Sequence, residues 1–173
     1  VSRGCPKACR FCAAGFIYRP FREHSIEHLR KEILDTGDEV GRVGLVAAAV
    51  SDYDDIAAVG RAVLDQGGEV SVSSVRIDAI TSEQVQVLAD SGHKTLALAP
   101  EAGSQRMRDV INKGIDEAQI LAAVKMLAEG GIPNLKLYFM IGLPCEVESD
   151  VIAIADLTVK IRQIWEEVGK QAG

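Results

Sequence analysis

The chain has 173 residues, with 19 Lys and Arg against 25 Asp and Glu and a formal net charge of −6. That acidic balance argues against sequence-independent phosphate binding, and 47% hydrophobic with 25% charged residues argues against disorder. No apolar run approaches the roughly 20 residues of a membrane span, and no signal peptide opens the chain. The length suits one domain with its own core. The start on Val1-Ser2-Arg3 leads us to expect residues 1–173 to be a single core cut from a longer, cytoplasmic protein.

In chain order, a short strand is expected around Val1 to Arg3, then strands at Arg42 to Val50, Glu69 to Val75, Lys94 to Pro100 and Asn134 to Gly142. Helical patterns fill the intervals: Ser25 to Thr36, Tyr53 to Gln66, Ser82 to Ser91, Asp116 to Glu129, and a last helix from about Glu146 to Val168. In the fourth of these, Ile120, Leu121, Val124 and Leu127 share one face at three- and four-residue spacing. Ser25 and Thr81 stand where N-caps belong, and Gly67-Gly68, Gly92 and Gly130-Gly131 mark stops. Strand and helix alternate as successive βαβ units, which forces parallel strands with right-handed crossovers. Five strands are too few for a closed eight-stranded barrel, so the expected fold is α/β, an open, partial parallel (β/α) barrel. Chemistry in such folds collects beyond the carboxyl ends of the strands.

Three of the four cysteines fall at Cys5, Cys9 and Cys12, a CxxxCxxC. Three thiolates so closely spaced can serve one soft metal centre. Disulfide pairing would leave an odd cysteine in the trio, and nothing in the sequence suggests secretion. A Cys₃His zinc site with His24 as fourth ligand is one arrangement these residues allow. A cubane iron–sulfur cluster on three cysteines is the other; it leaves one iron open for chemistry.

CxxxCxxC with an aromatic before its last cysteine, here Phe11, resembles the signature of radical S-adenosylmethionine (SAM) enzymes. The wider string Ser2-Arg-Gly-Cys-Pro-Lys-Ala-Cys-Arg-Phe-Cys-Ala-Ala-Gly-Phe-Ile-Tyr-Arg-Pro is similar to large bacterial members that often carry a cobalamin-binding domain. The resemblance runs from Ser2 to about Lys160. It implies a [4Fe-4S] cluster on Cys5, Cys9 and Cys12, whose open iron chelates the amino and carboxylate groups of SAM. It also implies reductive cleavage of SAM to a 5′-deoxyadenosyl radical that abstracts hydrogen, with electrons from a donor such as flavodoxin or ferredoxin. The cofactors carry the hard chemistry; the barrel orients them and excludes water.

Downstream segments extend the resemblance. Val46-Ala-Ala48-Ala49-Val50-Ser51-Asp52 sits where the family usually has Gly-Gly-Glu, so Ala48 and Ala49 are expected to offer backbone to SAM. Arg76, ending the third strand, is expected to meet a carboxylate of SAM or substrate; a surface pair with Asp78 is the alternative. Glu101, in a Glu-x-Gly-Ser motif, is expected to contact SAM, with Ser104 capping the next helix. Arg106, Arg108 and Lys113 are each candidates for the SAM carboxylate, Arg108 being carried as a cofactor contact, and the motif does not say which of the three it is. Ile141 and Gly142 are expected to flank the adenine, and Cys145 to be a buried or inert thiol. Phe16 to His28, with Arg19, Arg22, His24 and His28, is locally basic and aromatic and offers a surface to an electron donor or an anionic substrate.

Radical SAM chemistry leading to methyl or methylthio transfer is therefore expected, with cobalamin entering only through a domain outside residues 1–173. The substrate is not readable. A zinc-stabilised binding module and a degenerate, non-catalytic barrel are the rival readings. Cut from its flanks, the Cys5–Cys12 loop is expected to stand unsupported.

Overall fold

A computed structural model describes residues 1–35, 41–72 and 74–171. Its elements are β1 (Ser2–Arg3), α1 (Ala14–Ile17), β2 (Arg22–Glu23), α2 (Ile26–Asp35), β3 (Arg42–Leu45), α3 (Ile56–Asp65), β4 (Glu69–Val72), α4 (Ser82–Asp90), β5 (Thr95–Glu101), α5 (Gln105–Val110), α6 (Glu117–Glu129), β6 (Asn134–Phe139) and α7 (Glu148–Gln171). Alternation of strand and helix gives parallel pairing of β3 with β4 and of β5 with β6, an open, partial (β/α) barrel. One expected strand departs from this rule. β1 runs antiparallel to β2, a strand within the segment read as a basic loop, and it reaches the barrel through the Val1 ammonium, which donates to the Val46 carbonyl at 3.0 Å.

Period-two burial explains how β5 works. Leu96, Leu98 and Pro100 are buried toward the helices, while Ala97, Ala99 and Glu101 alternate to the other face. β3 and β4 are shorter than their apolar runs suggest. After Leu45 the chain leaves the ladder and makes a 3₁₀ turn at Val50–Asp52, so Ala47 to Val50 is irregular rather than strand. The end of the expected helix at Thr36, and Ser73 within the strand expected over Glu69 to Val75, lie outside the described residues.

The core lies between the sheet faces and helices α3, α4, α6 and α7. Ile120, Val124 and Leu127 of α6 are fully buried with Ala123, and Leu121 is partly buried beside them. Leu157 and Ile161 bring α7 onto the same core. Each such aliphatic side chain contributes about 1.5–3 kcal/mol on burial. Caps agree with the sequence: Thr81 accepts from the Gln84 amide, Ser25 from His28, and Ser104 from Met107, while Asp116 and Gln119 form a reciprocal capping box. α7 meets the turn between β5 and α5 with no room for a side chain between them. A Cβ on Gly103 would stand 2.6 Å from Ile154 Cα and closer still to its nitrogen.

Candidate functional site

The loop after β1 carries the cysteines, and contacts distant in sequence hold it. Arg10 donates its amide to the Ile111 carbonyl at 2.8 Å and its guanidinium to Val110, and Asn112 donates to the Ala8 carbonyl at 2.9 Å. α1 closes on the loop at Gly15, where a Cβ would strike the Lys7 carbonyl. The loop is thus clasped by the segment after α5, against the expectation that it would stand unsupported. Cys12 donates its amide to the Cys9 carbonyl at 3.1 Å, folding the motif into a tight turn.

Cys5 and Cys9 are buried, Cys12 is half-buried, and all three thiols are free. They line one cleft together with Lys7, Phe11, Ala48, Ser74, Arg76, Ala99, Glu101 and Lys113, with an empty volume of about 740 Å³ including its mouth. Residues from the cysteine loop and from the carboxyl ends of β3, β4 and β5 therefore meet in one place. A zinc ion holds sulfur ligands at about 2.3 Å and draws them to a point. Among the described residues no three His, Cys, Asp or Glu side chains converge in that way. Three free thiols lining one cleft are the donor set of an iron–sulfur cluster held by three cysteines. His24 does not complete a zinc site. It lines a different cleft with Arg3, Arg19 and Arg22, stacks on His28, and its carbonyl accepts from Tyr53.

Charges in and behind the cleft are balanced in two groups. On one side Lys113 Nζ meets Glu101 Oε1 at 3.0 Å and stands over the Phe11 ring at 5.8 Å. Glu101 adopts φ +68, an unusual conformation for a non-glycine residue, at an irregularity in the β5–β6 register. On the other side Arg76 meets Asp78 at 2.8 Å and Asp52 at 3.3 Å, while Lys7 meets the same two carboxylates at 3.1 and 3.6 Å. The Arg76–Asp78 pair expected as a surface feature exists, but it is mostly buried within this quartet. Asp52 is in ion-pair range of both cations, yet neither of its oxygens accepts a hydrogen bond. Burial alone would raise the Asp78 carboxyl, but Arg76 and then Lys7 outweigh it and hold it below the usual carboxylate range. Burial works against the Arg76 guanidinium too, and Asp78 and Asp52 more than offset it.

Phe11, Ala48, Arg76 and Glu101 thus share the cleft with the cysteines. Four other expected contacts do not. Ala49 is buried and is not among the residues that line the cleft. Arg108 is 1% exposed, and its guanidinium is spent on the Ala102 and Gly103 carbonyls and on Gln105. That makes it a brace for the β5–α5 turn, and of Arg106, Arg108 and Lys113 it is Lys113 that lines the cleft. Ile141 and Gly142 lie beyond β6 and are exposed, the Gly142 amide donating to Glu146 at 2.6 Å. Cys145 is exposed rather than buried, at φ +65. Lys7 carries no sequence signal of its own and Asp52 enters the sequence reading only as the end of the Val46–Asp52 segment; the fold brings Lys7 to Asp52 and Asp78.

An open (β/α) barrel with a three-cysteine loop at the carboxyl ends of its strands is the class this fold and cleft define. Residues 1–158 match the family profile of the Radical SAM superfamily, and the chain belongs to that superfamily. It is 37% identical over 166 residues to an uncharacterized protein of Methanocaldococcus jannaschii, covering 94% of this chain and 36% of that one. It is 26% identical over 171 residues to an uncharacterized methyltransferase of Pyrococcus horikoshii, covering 93% of this chain and again 36% of the relative. The chain therefore spans about a third of the length of these curated relatives. Among solved structures, the cobalamin-dependent SAM radical enzyme OxsB with aqua-cobalamin and SAM bound superposes at TM-score 0.66, with 16% identity over 99% of this chain and 29% of that one. Coproporphyrinogen III oxidase from Escherichia coli superposes at 0.61, with 16% identity over 91% and 39%. Among the described residues no helix is long and apolar enough to cross a membrane.

Proposed function

We propose that this chain is the catalytic core of a radical SAM enzyme, with Cys5, Cys9 and Cys12 as ligands of a [4Fe-4S] cluster and SAM in the cleft beside them. The observation that carries this reading is the meeting of three free thiols with Phe11, Ala48, Arg76, Glu101 and Lys113 in one cleft. When bound, the cluster supplies one electron to the SAM sulfonium, which cleaves to methionine and a 5′-deoxyadenosyl radical. The chain's own part is to hold and shield. Buried Cys5 and Cys9 keep their thiols from solvent, the Phe11 ring walls the cleft, and Lys113 and Glu101 offer opposite charges to SAM's carboxylate and ammonium. Small side chains at Ala48 and Ala99 leave room against the strands.

Methyl transfer is the outcome we favour. The likeness to the uncharacterized methyltransferase of Pyrococcus horikoshii supports it, and the OxsB likeness supports cobalamin bound by a further domain of the full protein. Methylthio transfer is the reading that gives way. Flavodoxin or ferredoxin in the cytoplasm is the proposed electron source, and the reducing cytosol suits free thiols.

The test is anaerobic reconstitution of the full-length protein with iron and sulfide, followed by dithionite and SAM. Four irons per chain and formation of 5′-deoxyadenosine are expected, both lost on Cys5→Ala, Cys9→Ala or Cys12→Ala. A triple variant that keeps its full iron load would sink the ligand assignment.

A further inference from the structure

Lys7 lies inside the cysteine motif but is not a thiol, and nothing in the proposed chemistry uses it. Its ammonium reaches out of the loop to Asp78 at 3.1 Å and Asp52 at 3.6 Å. Those carboxylates sit past the ends of β4 and β3, and both are mostly buried, Asp52 with 8% of its side chain exposed. Arg76 shares them, and its amide donates to Ser51 Oγ at 2.7 Å, which joins the same two strand ends by a second bond. The result is two cations and two anions in one mostly buried group, neutral in sum and tied to the loop through Lys7. Asp52 takes no hydrogen bond, so ion pairing with Lys7 and Arg76 is what balances its buried charge.

We propose that Lys7 is a positioning residue, latching the Cys5–Cys12 loop onto the ends of β3 and β4 and keeping the charge beside the cluster neutral. The inference rests on the cluster reading above. Cluster potentials follow net charge, hydrogen bonding and exposure, and opposite charges within a few ångströms in a partly dry site interact strongly. Removing Lys7 leaves one net negative charge next to the cluster and opposes adding an electron. Removing the Asp78 charge leaves one net positive charge and favours it. The two substitutions break the same contact, so a purely structural role would move both in the same direction.

The experiment uses full-length protein reconstituted anaerobically, with iron content, the electron paramagnetic resonance signal of the reduced cluster, and its midpoint potential measured for each variant. Lys7→Met is expected to lower the potential, Asp78→Asn to raise it, and the double variant to return it toward wild type. Lys7→Arg keeps the charge and is expected to stay near wild type. If Lys7→Met fails to hold iron, Asp78→Asn and Lys7→Arg still decide the matter. A potential unmoved in Asp78→Asn, or shifts of the same sign in the two single variants, overturns the proposal. In iron-free protein, alkylation of Cys9 is expected to quicken severalfold in Lys7→Met, and an unchanged rate overturns the latch. Wild-type protein that takes up no cluster defeats the reading beneath the proposal; a loaded wild type with indifferent variants defeats the proposal alone.

Discussion

Lys113 Nζ stands 3.0 Å from Glu101 Oε1, joining the loop after α5 to the end of β5 across the cleft. Both side chains are largely buried, at 10% and 14% exposure, so each is the other's main relief from desolvation. Glu101 holds this place from a left-handed backbone, φ +68, where strain of order 1–3 kcal/mol is sustained only if the surroundings fix it. The Met140 amide donates to its carbonyl at 2.8 Å, and this bond to the chain after β6 is part of that fixation.

Lys113→Met strands the Glu101 carboxylate. It is expected to lower the unfolding free energy by about 2–4 kcal/mol and to weaken SAM binding at least tenfold. Glu101→Gln alone leaves the ammonium buried and costs less, because an amide still accepts from it. The double variant Lys113→Met/Glu101→Gln is expected to cost less than the sum of its parts. Urea denaturation of the four proteins gives the coupling; strict additivity would mean the pair is not coupled.

Gly103 tests the contact between the β5–α5 turn and α7. A methyl there meets backbone of Ala153 and Ile154, which cannot swing aside as a side chain would. Gly103→Ala is expected to cost more than about 3 kcal/mol, the range of overpacked and backbone-displacing changes. Gly41→Ala, where a methyl meets nothing within 4 Å among the described residues, is the control and is expected to change stability by less than about 0.5 kcal/mol. Equal midpoints for the two in thermal melts would contradict the packing described.

Asp150, near the start of α7, has a carboxyl lowered to about 2. Arg106 is the largest cause, then the Ser104 hydroxyl at 2.6 Å and the Val147 amide at 3.0 Å. A depressed carboxylate contributes stability that is present above its unfolded value near 3.8 and is lost as pH falls through about 2. The advantage of wild type over Asp150→Asn is therefore expected to be constant from neutral pH to about pH 4 and to shrink between there and pH 2. Arg106→Met should move that loss to higher pH, toward the ordinary carboxylate range. Denaturant midpoints taken every half unit would expose a wrong assignment by showing no change across that window.

The cysteine motif and the strand–helix rhythm were legible because both are local. CxxxCxxC places three thiols on one loop, and β5 shows its two faces by simple alternation of Leu96 and Leu98 with Ala97 and Ala99. What the sequence hid was long-range. β1 pairs antiparallel with Arg22–Glu23 of β2, across the cysteine loop and α1, rather than with a βαβ partner. Arg108 looked available as a cation, but its place one turn after Ser104 turns it back onto the carbonyls of Ala102 and Gly103. Lys113 follows Asn112 at φ +52, and that reversal, not its spacing from any motif, brings it to Glu101. Ile141 was read as part of a strand that stops at Phe139.

Asn112 separates backbone strain from hydrogen bonding in the clasp on the cysteine loop. Its side chain donates to the Ala8 carbonyl at 2.9 Å from a left-handed backbone, which Asn tolerates better than most residues. Asn112→Gly loses the bond but keeps the backbone conformation, and is expected to cost about 1 kcal/mol. Asn112→Ala loses the bond and adds the left-handed penalty of about 1–2 kcal/mol, so it should be the less stable of the two. Both free the loop between Cys5 and Cys9, and both are expected to release iron faster than wild type when reconstituted protein is diluted into chelator. If the clasp acts only through stability, Asn112→Gly should keep iron nearly as well as wild type. If it acts on the loop itself, the two variants should lose iron at similar rates despite their different melting temperatures.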